Sequence, residues 1–381
     1  MREVELGSVC KFINGDRGKN YPAQDAFVKE GIPFINAGSL NNKRIDISKV
    51  NFITEEKYNS LSSGKVEISD ILFCLRGSLG KYSINTELTQ GAIASSLVLL
   101  RVMPELDVNY LANYLGSQGI RSQIYVNDNG SSQPNLSASN VKKFKIPLPP
   151  LPTQQKIAAI LDEADKLRQL NKQLIAKYDE LTQSLFLDMF GDYLNGDLIP
   201  LKEVVKFSQG QQFGVELQSL EPKNGYSRFL RIVDFTQGDD LRYVPNEDGK
   251  YYVNLDDIVI VRYGASAGFV GTNKEGVLAN NLFKVNYDRN IFNQQYLFFT
   301  FQHRKFKGFV EKEAFGAAMP ALSFKVMERF EIALPPINLQ NQFAERVQAI
   351  EAQKVQAQQS LAKAEDLFNS LLQRAFKGEL V

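Results

Sequence analysis

The chain has little of the chemistry that metal sites and disulfides need: it contains one histidine, two cysteines and no tryptophan. A single histidine with two cysteines cannot build a histidine-rich metal site. Cys10 and Cys74 both lie in apolar, strand-like segments, which favours buried thiols in a reducing cytoplasm over a disulfide framework. We therefore predict neither a metal ion nor a disulfide in this chain.

Long apolar stretches are also missing. No run reaches the roughly 18 apolar residues of a membrane-spanning helix, and residues 1–10 lack the basic start and apolar segment of a signal peptide. The net charge is only +1, so any nucleic-acid binding has to come from local patches. A length of 381 residues predicts two or three domains.

Signals of catalysis are absent as well. The sequence has no Gly-rich phosphate loop that ends in Gly-Lys-Ser/Thr. The Pro-Pro pairs at 149–150 and 335–336 follow leucine, whereas an adenine methyltransferase motif would have Asn or Asp there. The acidic pairs at 239–240 and 256–257 are typical of turns or strand starts. We predict no catalytic residue in this chain.

The chain instead contains an internal duplication. Residues 6–15 (LGSVCKFING) are similar to residues 201–210 (LKEVVKFSQG), and residues 130–137 (GSSQPNLS) are similar to residues 316–323 (GAAMPALS). Further matches, such as Gln154 with Gln340, keep the same order along the chain. Similarity in a constant order indicates two copies of one structural unit.

Each copy has a globular part and a helical part. Short apolar runs broken by Gly, Asn and Ser predict a mixed α/β fold for residues 1–150, the first module, and for residues 196–336, the second module. Residues 151–195 and 337–381 follow the Pro-Pro pairs and predict one long helix each. We expect helices from about 153 to 189 and from about 339 to 375, ended by Gly191 and Gly378.

Apolar residues recur at intervals of three and four in both helical parts, which is the coiled-coil pattern. Leu167 and Leu181 fit the first stripe, and Arg168 and Lys354 interrupt the two stripes at matching positions. We predict an antiparallel coiled coil; the alternative is that each helix packs on its own module. The residues predicted to pair the helices are Ile157, Leu161, Ala164, Tyr178, Leu185, Phe343, Val347, Ile350, Leu361 and Phe368.

Two similar modules held apart by paired helices, with a pseudo-two-fold relation, would suit a molecular ruler on DNA. Dimeric DNA readers place their reading elements about one helical turn, roughly 34–36 Å, apart. Because the two modules differ in sequence, the target would be bipartite and asymmetric. Arg, Asn and Gln pair with base edges and Lys favours phosphates. The predicted DNA-binding residues are Arg17, Lys19, Asn20, Asn36, Lys43, Arg44, Arg76, Lys81, Gln211, Gln212, Arg228, Arg231, Arg262, Tyr263, Arg304 and Lys305.

Several segments together resemble one known family, the specificity subunits of type I restriction-modification systems. They are the block at 130–137 and its copy, residues 146–157 (IPLPPLPTQQKI), residues 34–40 (FINAGSL) and residues 75–81 (LRGSLGK). The resemblance covers the whole chain. The second copy departs from the block, because Ala317, Ala318 and Met319 replace Ser131, Ser132 and Gln133, so a DNA contact by that triplet could not recur in it.

The resemblance implies two target-recognition domains, residues 1–150 and 196–336, with the helices at 151–195 and 337–381 as conserved spacers. It implies double-stranded DNA, two methyltransferase subunits and motor-nuclease restriction subunits as partners in a prokaryotic cytoplasm. S-adenosylmethionine, ATP and magnesium would then belong to those partners, and this chain would hold no cofactor.

Two other functions remain open from the residues alone. A self-contained nuclease would need a carboxylate–lysine constellation, which the sequence does not show. A protein–protein scaffold without DNA contact would be distinguished by the absence of a salt-dependent DNA affinity. The block at 130–137 also has two interpretations: Pro134, Leu136, Pro320 and Leu322 are expected to dock each module on the helices, while Ser131, Ser132 and Gln133 could contact DNA.

Overall fold

Contacts divide the computed structural model of the chain into two compact units. Unit one contains the residues up to Lys172 and those from Gln359 onward, and unit two is Gln173–Gln358. The structure describes residues 2–128, 134–238, 240–246, 249–314 and 321–380. Each unit therefore combines one module with half of each long helix, whereas the predicted four-part division separates modules from helices.

The first module is built from short strands and helices. Its strands are β1 (Glu3–Glu5), β2 (Cys10–Asn14), β3 (Phe27–Val28), β4 (Ile32–Ile35), β5 (Leu40–Asn41), β6 (Arg44–Ile45), β7 (Asn51–Ile53), β8 (Ile71–Cys74), β9 (Tyr82–Ile84), β10 (Ala92–Ile93), β11 (Leu97–Val102) and β12 (Lys145–Pro147). Its α-helices are α1 (Leu6–Val9), α2 (Glu55–Ser60), α3 (Val108–Leu115), α4 (Gln118–Asn127) and α5 (Ala138–Lys142). Short 3₁₀ helices lie at Gln24–Ala26, Ala37–Ser39 and Ile47–Lys49.

Two four-stranded sheets form the first module, in the orders β2-β11-β8-β9 and β10-β4-β7-β3. Alternate residues of β8 and β11 enter different cores: Phe73 and Leu100 join one cluster, whereas Leu72 and Leu99 join another. Side chains alternate across a strand, so a sheet covered on both faces needs apolar residues at every position. This explains the continuous apolar runs ILFC and LVLLRV.

The second module repeats this plan. Its strands are β13 (Leu198–Pro200), β14 (Val205–Gln209), β15 (Tyr226–Leu230), β16 (Tyr243–Pro245), β17 (Tyr252–Val253), β18 (Ile258–Val261), β19 (Val270–Gly271), β20 (Gly276–Leu278), β21 (Leu282–Tyr287) and β22 (Glu331–Ala333). Its α-helices are α7 (Ile232–Thr236), α8 (Gln294–Gln302), α9 (Arg304–Ala314) and α10 (Phe324–Met327), with 3₁₀ helices at Leu201–Glu203 and Val215–Leu217. The sheet orders are β14-β21-β18-β19 and β16-β15-β20-β17.

Corresponding strand pairs confirm the duplication. The pairs β4–β10 and β15–β20 are both parallel, and in each module the second strand of the pair is the strand that precedes β11 or β21. Each module is closed by a two-stranded antiparallel sheet, β1 with β12 and β13 with β22. The predicted mixed α/β tandem fold is therefore confirmed.

The long helices extend further than predicted. They are α6 (Leu151–Leu194) and α11 (Ile337–Lys377). Gly191 does not end α6, because the helix continues through it to Leu194. Gly378 does follow the end of α11, and its φ of +83° is the left-handed conformation that glycine adopts most readily. Among the described residues, no helix is long and apolar enough to cross a membrane.

The two helices run antiparallel within each unit. In unit one the guanidinium of Arg168 lies 4.0 Å above the Phe368 ring, and Lys172 Nζ lies 3.3 Å from Glu365 Oε1. In unit two Asp179 pairs with Lys354, and the rings of Phe186 and Phe343 are 5.6 Å apart. Residue numbers rise on one helix as they fall on the other, which is the predicted antiparallel arrangement.

The buried stripe of α6 differs in part from the predicted one. Leu167 and Leu181 are each 50% exposed, and Arg168 and Thr182 occupy the stripe in their place. Arg168 is accommodated by the Phe368 ring and by Asp165, whose Oδ1 lies 2.7 Å from Arg168 Nη2, and Thr182 Oγ1 donates to the Tyr178 carbonyl. Polar residues with local partners can thus replace leucine in the seam.

The residues predicted to pair the helices are all at least partly buried. The buried ones are Ile157, Leu161, Ala164, Phe343 and Val347, and the half-buried ones are Tyr178, Leu185, Ile350, Leu361 and Phe368. Ile157 and Leu161 also belong to the core of the first module, and Phe343 and Val347 belong to the core of the second. The start of each helix therefore packs on its own module as well as on the other helix.

Candidate nucleic-acid interface

The register of the sheets gathers the connecting loops of the first module at one end. Strands β2 and β8 end where β11 begins, since Asn14 pairs with Val98 and Cys74 with Leu97. The next residues continue this contact, because Leu75 N donates to Ser96 O over 2.8 Å. We call the loops at 15–20, 36–39, 75–81, 94–96 and 134–136 the first loop end.

The second module has the equivalent surface. Gln209 pairs with Phe283 and Val261 with Leu282, so β14 and β18 end where β21 begins. Arg262 N donates to Asn281 O over 2.8 Å, in the same manner as Leu75 in the first module. We call the loops at 210–214, 231–234, 262–269, 279–281 and 321–322 the second loop end.

The described part of the duplicated block docks on these surfaces. Leu136 N donates to Leu75 O over 2.8 Å, and Leu322 N donates to Arg262 O over 2.9 Å. Both leucines are buried, which agrees with a structural role, but their backbone partners are strand ends rather than the long helices. Pro134 is exposed. Ser131, Ser132, Gln133 and Pro320 lie outside the described residues.

A carboxylate organises the first loop of the first module. Asp16 Oδ2 accepts hydrogen bonds from Ser62 N at 2.7 Å and Ser62 Oγ at 3.0 Å, and Asp16 Oδ1 accepts one from Arg17 N at 2.6 Å. The hydrogen bond from the Ser62 backbone is the main reason why the pKa of Asp16 lies below its usual value. Arg17 and Lys19 are exposed on this loop, and Asn20 is half-buried.

Three further predicted residues lie at the first loop end. The side chain of Arg76 is exposed, and its backbone forms an isolated antiparallel β-bridge with Asn135. Asn36 caps the turn that follows β4, since its Oδ1 accepts a hydrogen bond from Gly38 N at 2.8 Å. Lys81 Nζ donates to the Ala37 carbonyl over 3.1 Å. Asn36 and Lys81 thus have partners within the chain, whereas Arg76 presents an exposed side chain.

Lys43 has a different location. It lies in the tight turn of the β5–β6 hairpin, with a φ of 60°. Its Nζ is 2.6 Å from Asp162 Oδ1 on α6 and 2.8 Å from Asn113 Oδ1 on α3. Lys43 therefore fastens the hairpin to the long helix, which the sequence did not reveal, and the neighbouring Arg44 is exposed.

The second module holds its arginines in an ionic network. Asp234 is 1% exposed and pairs with both Arg228 and Arg231. Asp240 accepts hydrogen bonds from Arg242 and Arg231, and these hydrogen bonds lower the pKa of Asp240. The network fixes the orientation of arginines that would otherwise be mobile. Sequence reasoning found the arginines but not the two aspartates that hold them.

The remaining predicted residues of the second loop end differ in exposure. Gln211 and Gln212 are exposed, and the Gln211 N–H donates to the Leu278 carbonyl over 2.8 Å. Arg262 and Tyr263 are half-buried, and the Arg262 guanidinium lies 4.5 Å from the Tyr263 ring centroid.

The basic run at 303–307 is not at the loop end. Lys305 Nζ donates to the Leu194 carbonyl at the end of α6 and lies 3.2 Å from Asn195 Oδ1. A lysine at a helix C-terminus satisfies carbonyls that lack helical partners. Burial, with the charges of Arg304 and Lys305, lowers the pKa of His303. Arg304 is exposed. DNA contact by any residue of the predicted set stays a prediction.

Two matching glutamines of the repeat, Gln154 and Gln340, have a structural role that the sequence does not indicate. Gln154 Oε1 accepts from Asp107 N at 2.9 Å, and its Nε2 donates to the carbonyls of Glu105 and Pro149, both at 2.9 Å. Gln340 makes the same three bonds to Asn293 N, Ile291 O and Pro335 O, at 2.8, 3.0 and 2.8 Å. We call these two residues the glutamine anchors, since each fixes the start of a long helix on its module.

Comparison with known proteins agrees with this architecture. The family model described as type I restriction modification DNA specificity domain matches the chain twice, at residues 1–178 and 197–364. A putative specificity subunit of the type I restriction enzyme MjaX from Methanocaldococcus jannaschii is 24% identical over 352 residues, which cover 85% of this chain and 81% of that protein. The StySPI specificity subunit from Salmonella potsdam is 21% identical, and the alignment covers 98% of this chain and 88% of that protein.

Solved structures share the fold. The S subunit of a type I system from M. genitalium superimposes with a TM-score of 0.57 at 17% identity, over 98% of this chain and 96% of that one. A chain described under complex assembly and conformational transition of the type I R-M system gives a TM-score of 0.60 at 17% identity, over 100% of this chain and 98% of that one. The two matches to the family model show that the chain belongs to the type I restriction-modification DNA specificity subunits, the non-catalytic DNA-recognition components of their complexes.

Proposed function

We propose that this chain binds a bipartite, asymmetric sequence in double-stranded DNA, with one half read at each loop end. The observation that carries the proposal is that two modules with the same strand plan present different side chains at the same end. The first offers exposed Arg17 and Arg76, whereas the second offers Gln211, Gln212 and a set of braced arginines. Identical surfaces would read identical half-sites, and these surfaces differ.

We also propose that the long helices set the gap between the half-sites and hold two methyltransferase subunits, which restriction subunits then join. Leucines that face away from the seam support this docking. In unit one Leu167 and Leu170 are 50% and 52% exposed, and in unit two Leu181 and Leu187 are 50% and 49% exposed. Apolar side chains repeated along a polar helix are typical of surfaces that a partner covers. S-adenosylmethionine, ATP and magnesium would act in those partners.

The test is selection from a library of random duplexes by this chain in complex with its methyltransferase subunits. We expect two conserved blocks separated by a gap of fixed length. The double variant Gln211→Ala/Gln212→Ala should change one block and Arg76→Ala the other, because the two glutamines lie at the second loop end and Arg76 lies at the first. Selection of a single block, or of no sequence, would overturn the proposal.

A scaffold that never touches DNA is the competing function, and the same complex distinguishes it. Binding to DNA phosphates releases counterions, so the logarithm of the affinity falls linearly with the logarithm of the salt concentration. A scaffold would show no such slope at any salt concentration.

A further inference from the structure

Arg262 occupies a corner of the second loop end in which several groups fix its side chain. Its Nη1 donates to Gln209 Oε1 over 2.7 Å. Its guanidinium lies 4.5 Å from the Tyr263 ring centroid and 5.3 Å from the Phe283 ring centroid. Arg262 is therefore held between two aromatic rings and one amide oxygen.

Gln209 is itself fixed in orientation. Its Nε2 donates to the Asn280 carbonyl over 2.9 Å, so its Oε1 has to point toward Arg262. An amide can bridge in this way, because it donates from one atom and accepts at the other. A guanidinium has five N–H donors, and Gln209 uses one of them.

The corner also contains buried polar atoms that the described residues do not satisfy. Arg262 Nε and Asn281 Oδ1 are both buried without a hydrogen-bond partner in the described part of the chain. Arg262 and Asn281 are joined through their backbones, since Arg262 N donates to Asn281 O over 2.8 Å. An unsatisfied donor and acceptor are costly in a free protein, and a polar ligand at this corner would satisfy them.

The described residues of the first module show no such arrangement. The strand register places Asn14 where the second module has Gln209, since these residues pair with Val98 and Phe283 respectively. Leu75 stands where the second module has Arg262, because each donates its backbone N–H to the residue before β11 or β21. A leucine cannot be braced by an amide, so among the described residues only the second loop end has this feature.

We propose that Arg262 reads a guanine in the half-site of the second module and that Gln209 is its positioning residue. The proposal rests on the proposed function. Arginine contacts the O6 and N7 acceptors of guanine with two N–H groups, and this is the commonest specific contact in the major groove. A side chain already held in place loses less conformational entropy when it binds. The corner thus assigns a G·C pair to one position of the second half-site.

The test measures the dissociation constant of the chain–methyltransferase complex for its selected duplex and for duplexes with one base pair replaced. In the wild type, replacing the assigned G·C pair should weaken binding about 5- to 150-fold. In Arg262→Lys this penalty should disappear while the penalties at all other positions persist, because lysine keeps the charge but has no planar fork. In Gln209→Ala the penalty should shrink by about 2- to 12-fold.

The matched control is Arg289→Lys, which makes the same substitution beyond the opposite end of β21, where Arg289 pairs with exposed Asp256. It should leave every penalty unchanged. If Arg262→Lys weakens all duplexes equally, Arg262 contacts a phosphate and the proposal is wrong. If Gln209→Ala or Arg262→Lys lowers only the unfolding temperature, the pair has a packing role and the proposal is equally wrong. Failure of the proposed function would be seen earlier, because the wild-type complex would then select no bipartite duplex.

Discussion

The two modules agree where they meet the long helices and differ where their loops gather. The glutamine anchors, Gln154 and Gln340, make the same three hydrogen bonds. At the loop ends, the turn after β4 is closed by the neutral pair Asn36 and Ser39, whereas the turn after β15 is closed by Arg231 and Asp234. The copies have thus kept the junction that positions each module and changed the surface that would meet DNA.

A second difference shows how the copies preserve a feature while they diverge. The buried Asp70 pairs with Arg101 on β11, and the equivalent Asp257 pairs with Lys284 on β21. The cation has moved by two positions along the strand, since Leu99 and Lys284 pair with Leu72 and Val259 respectively. Positions two apart lie on the same face of a strand, so either one can reach the carboxylate.

The largest effect is expected where the end of one long helix packs on the other copy's module. Phe190 is fully buried, with its ring centroid 4.7 Å from that of Tyr296, whereas its counterpart Phe376 is half-buried, 5.3 Å from Tyr110. Phe190→Ala should lower the unfolding free energy by about 3–5 kcal/mol, and Phe376→Ala by about 2 kcal/mol. Urea unfolding followed by circular dichroism measures both.

The control for this pair is Phe269→Ala, since Phe269 is 39% exposed; it should cost less than about 1 kcal/mol. If Phe376→Ala lowers the unfolding free energy as much as Phe190→Ala or more, the contribution of each phenylalanine does not follow its burial.

The ion pairs should give the next largest effect. Arg101→Met leaves the Asp70 side chain, which is 0% exposed, without its cation, and should cost about 3 kcal/mol. Lys284→Met should cost about half as much, because the Asp257 side chain is 10% exposed and water can partly replace the ammonium. Urea unfolding checks the order, and a larger loss for Lys284→Met would contradict it.

Substitution of either glutamine anchor should lower the unfolding free energy by a similar amount. Gln154→Leu and Gln340→Leu each remove the partners of one buried N–H and two carbonyl groups, and each should cost about 1–3 kcal/mol. Gln183→Leu at an exposed position of α6 is the matched control and should be close to neutral. If the two anchor variants differ by more than the error of the measurement, the junctions are not equivalent in energy.

The smallest effect is expected for the pH dependence of the unfolding free energy. The pKa of Asp16 is lowered in the folded chain, so this carboxylate stabilises the folded state above its unfolded pKa of about 3.9 and ceases to do so as the pH falls through its folded value. The difference in unfolding free energy between wild type and Asp16→Asn should therefore be constant above about pH 5 and shrink as the pH falls below the unfolded pKa of about 3.9 and through the lower folded value. Gln211 takes the place of Asp16 in the second module, so Gln211→Asn should show no such pH dependence. An Asp16→Asn difference that stays constant as the pH falls from about 5 through the folded pKa of Asp16 would contradict the assignment.

Much of the architecture could be predicted from the sequence, because duplication and heptad spacing are properties of order along the chain. The loop ends could not be predicted to the same depth. Hydrophobicity alone selected Leu167 and Leu181 for the seam, although Arg168 and Thr182 lie there with local partners. The aspartate that holds Arg228 and Arg231, and the attachment of Lys43 to Asp162, depend on tertiary contacts that no local pattern encodes.

Unit two is one continuous stretch of chain, Gln173–Gln358, whereas unit one is completed only by residues from Gln359 onward. During synthesis a nascent chain would carry every residue of unit two before Phe376 reaches Tyr110. The core of the first module includes Leu372 and Ala375, so it is completed by residues that follow the whole of unit two in the sequence. A chain that ends before Leu372 would therefore keep every residue of unit two and lose part of the first module's core.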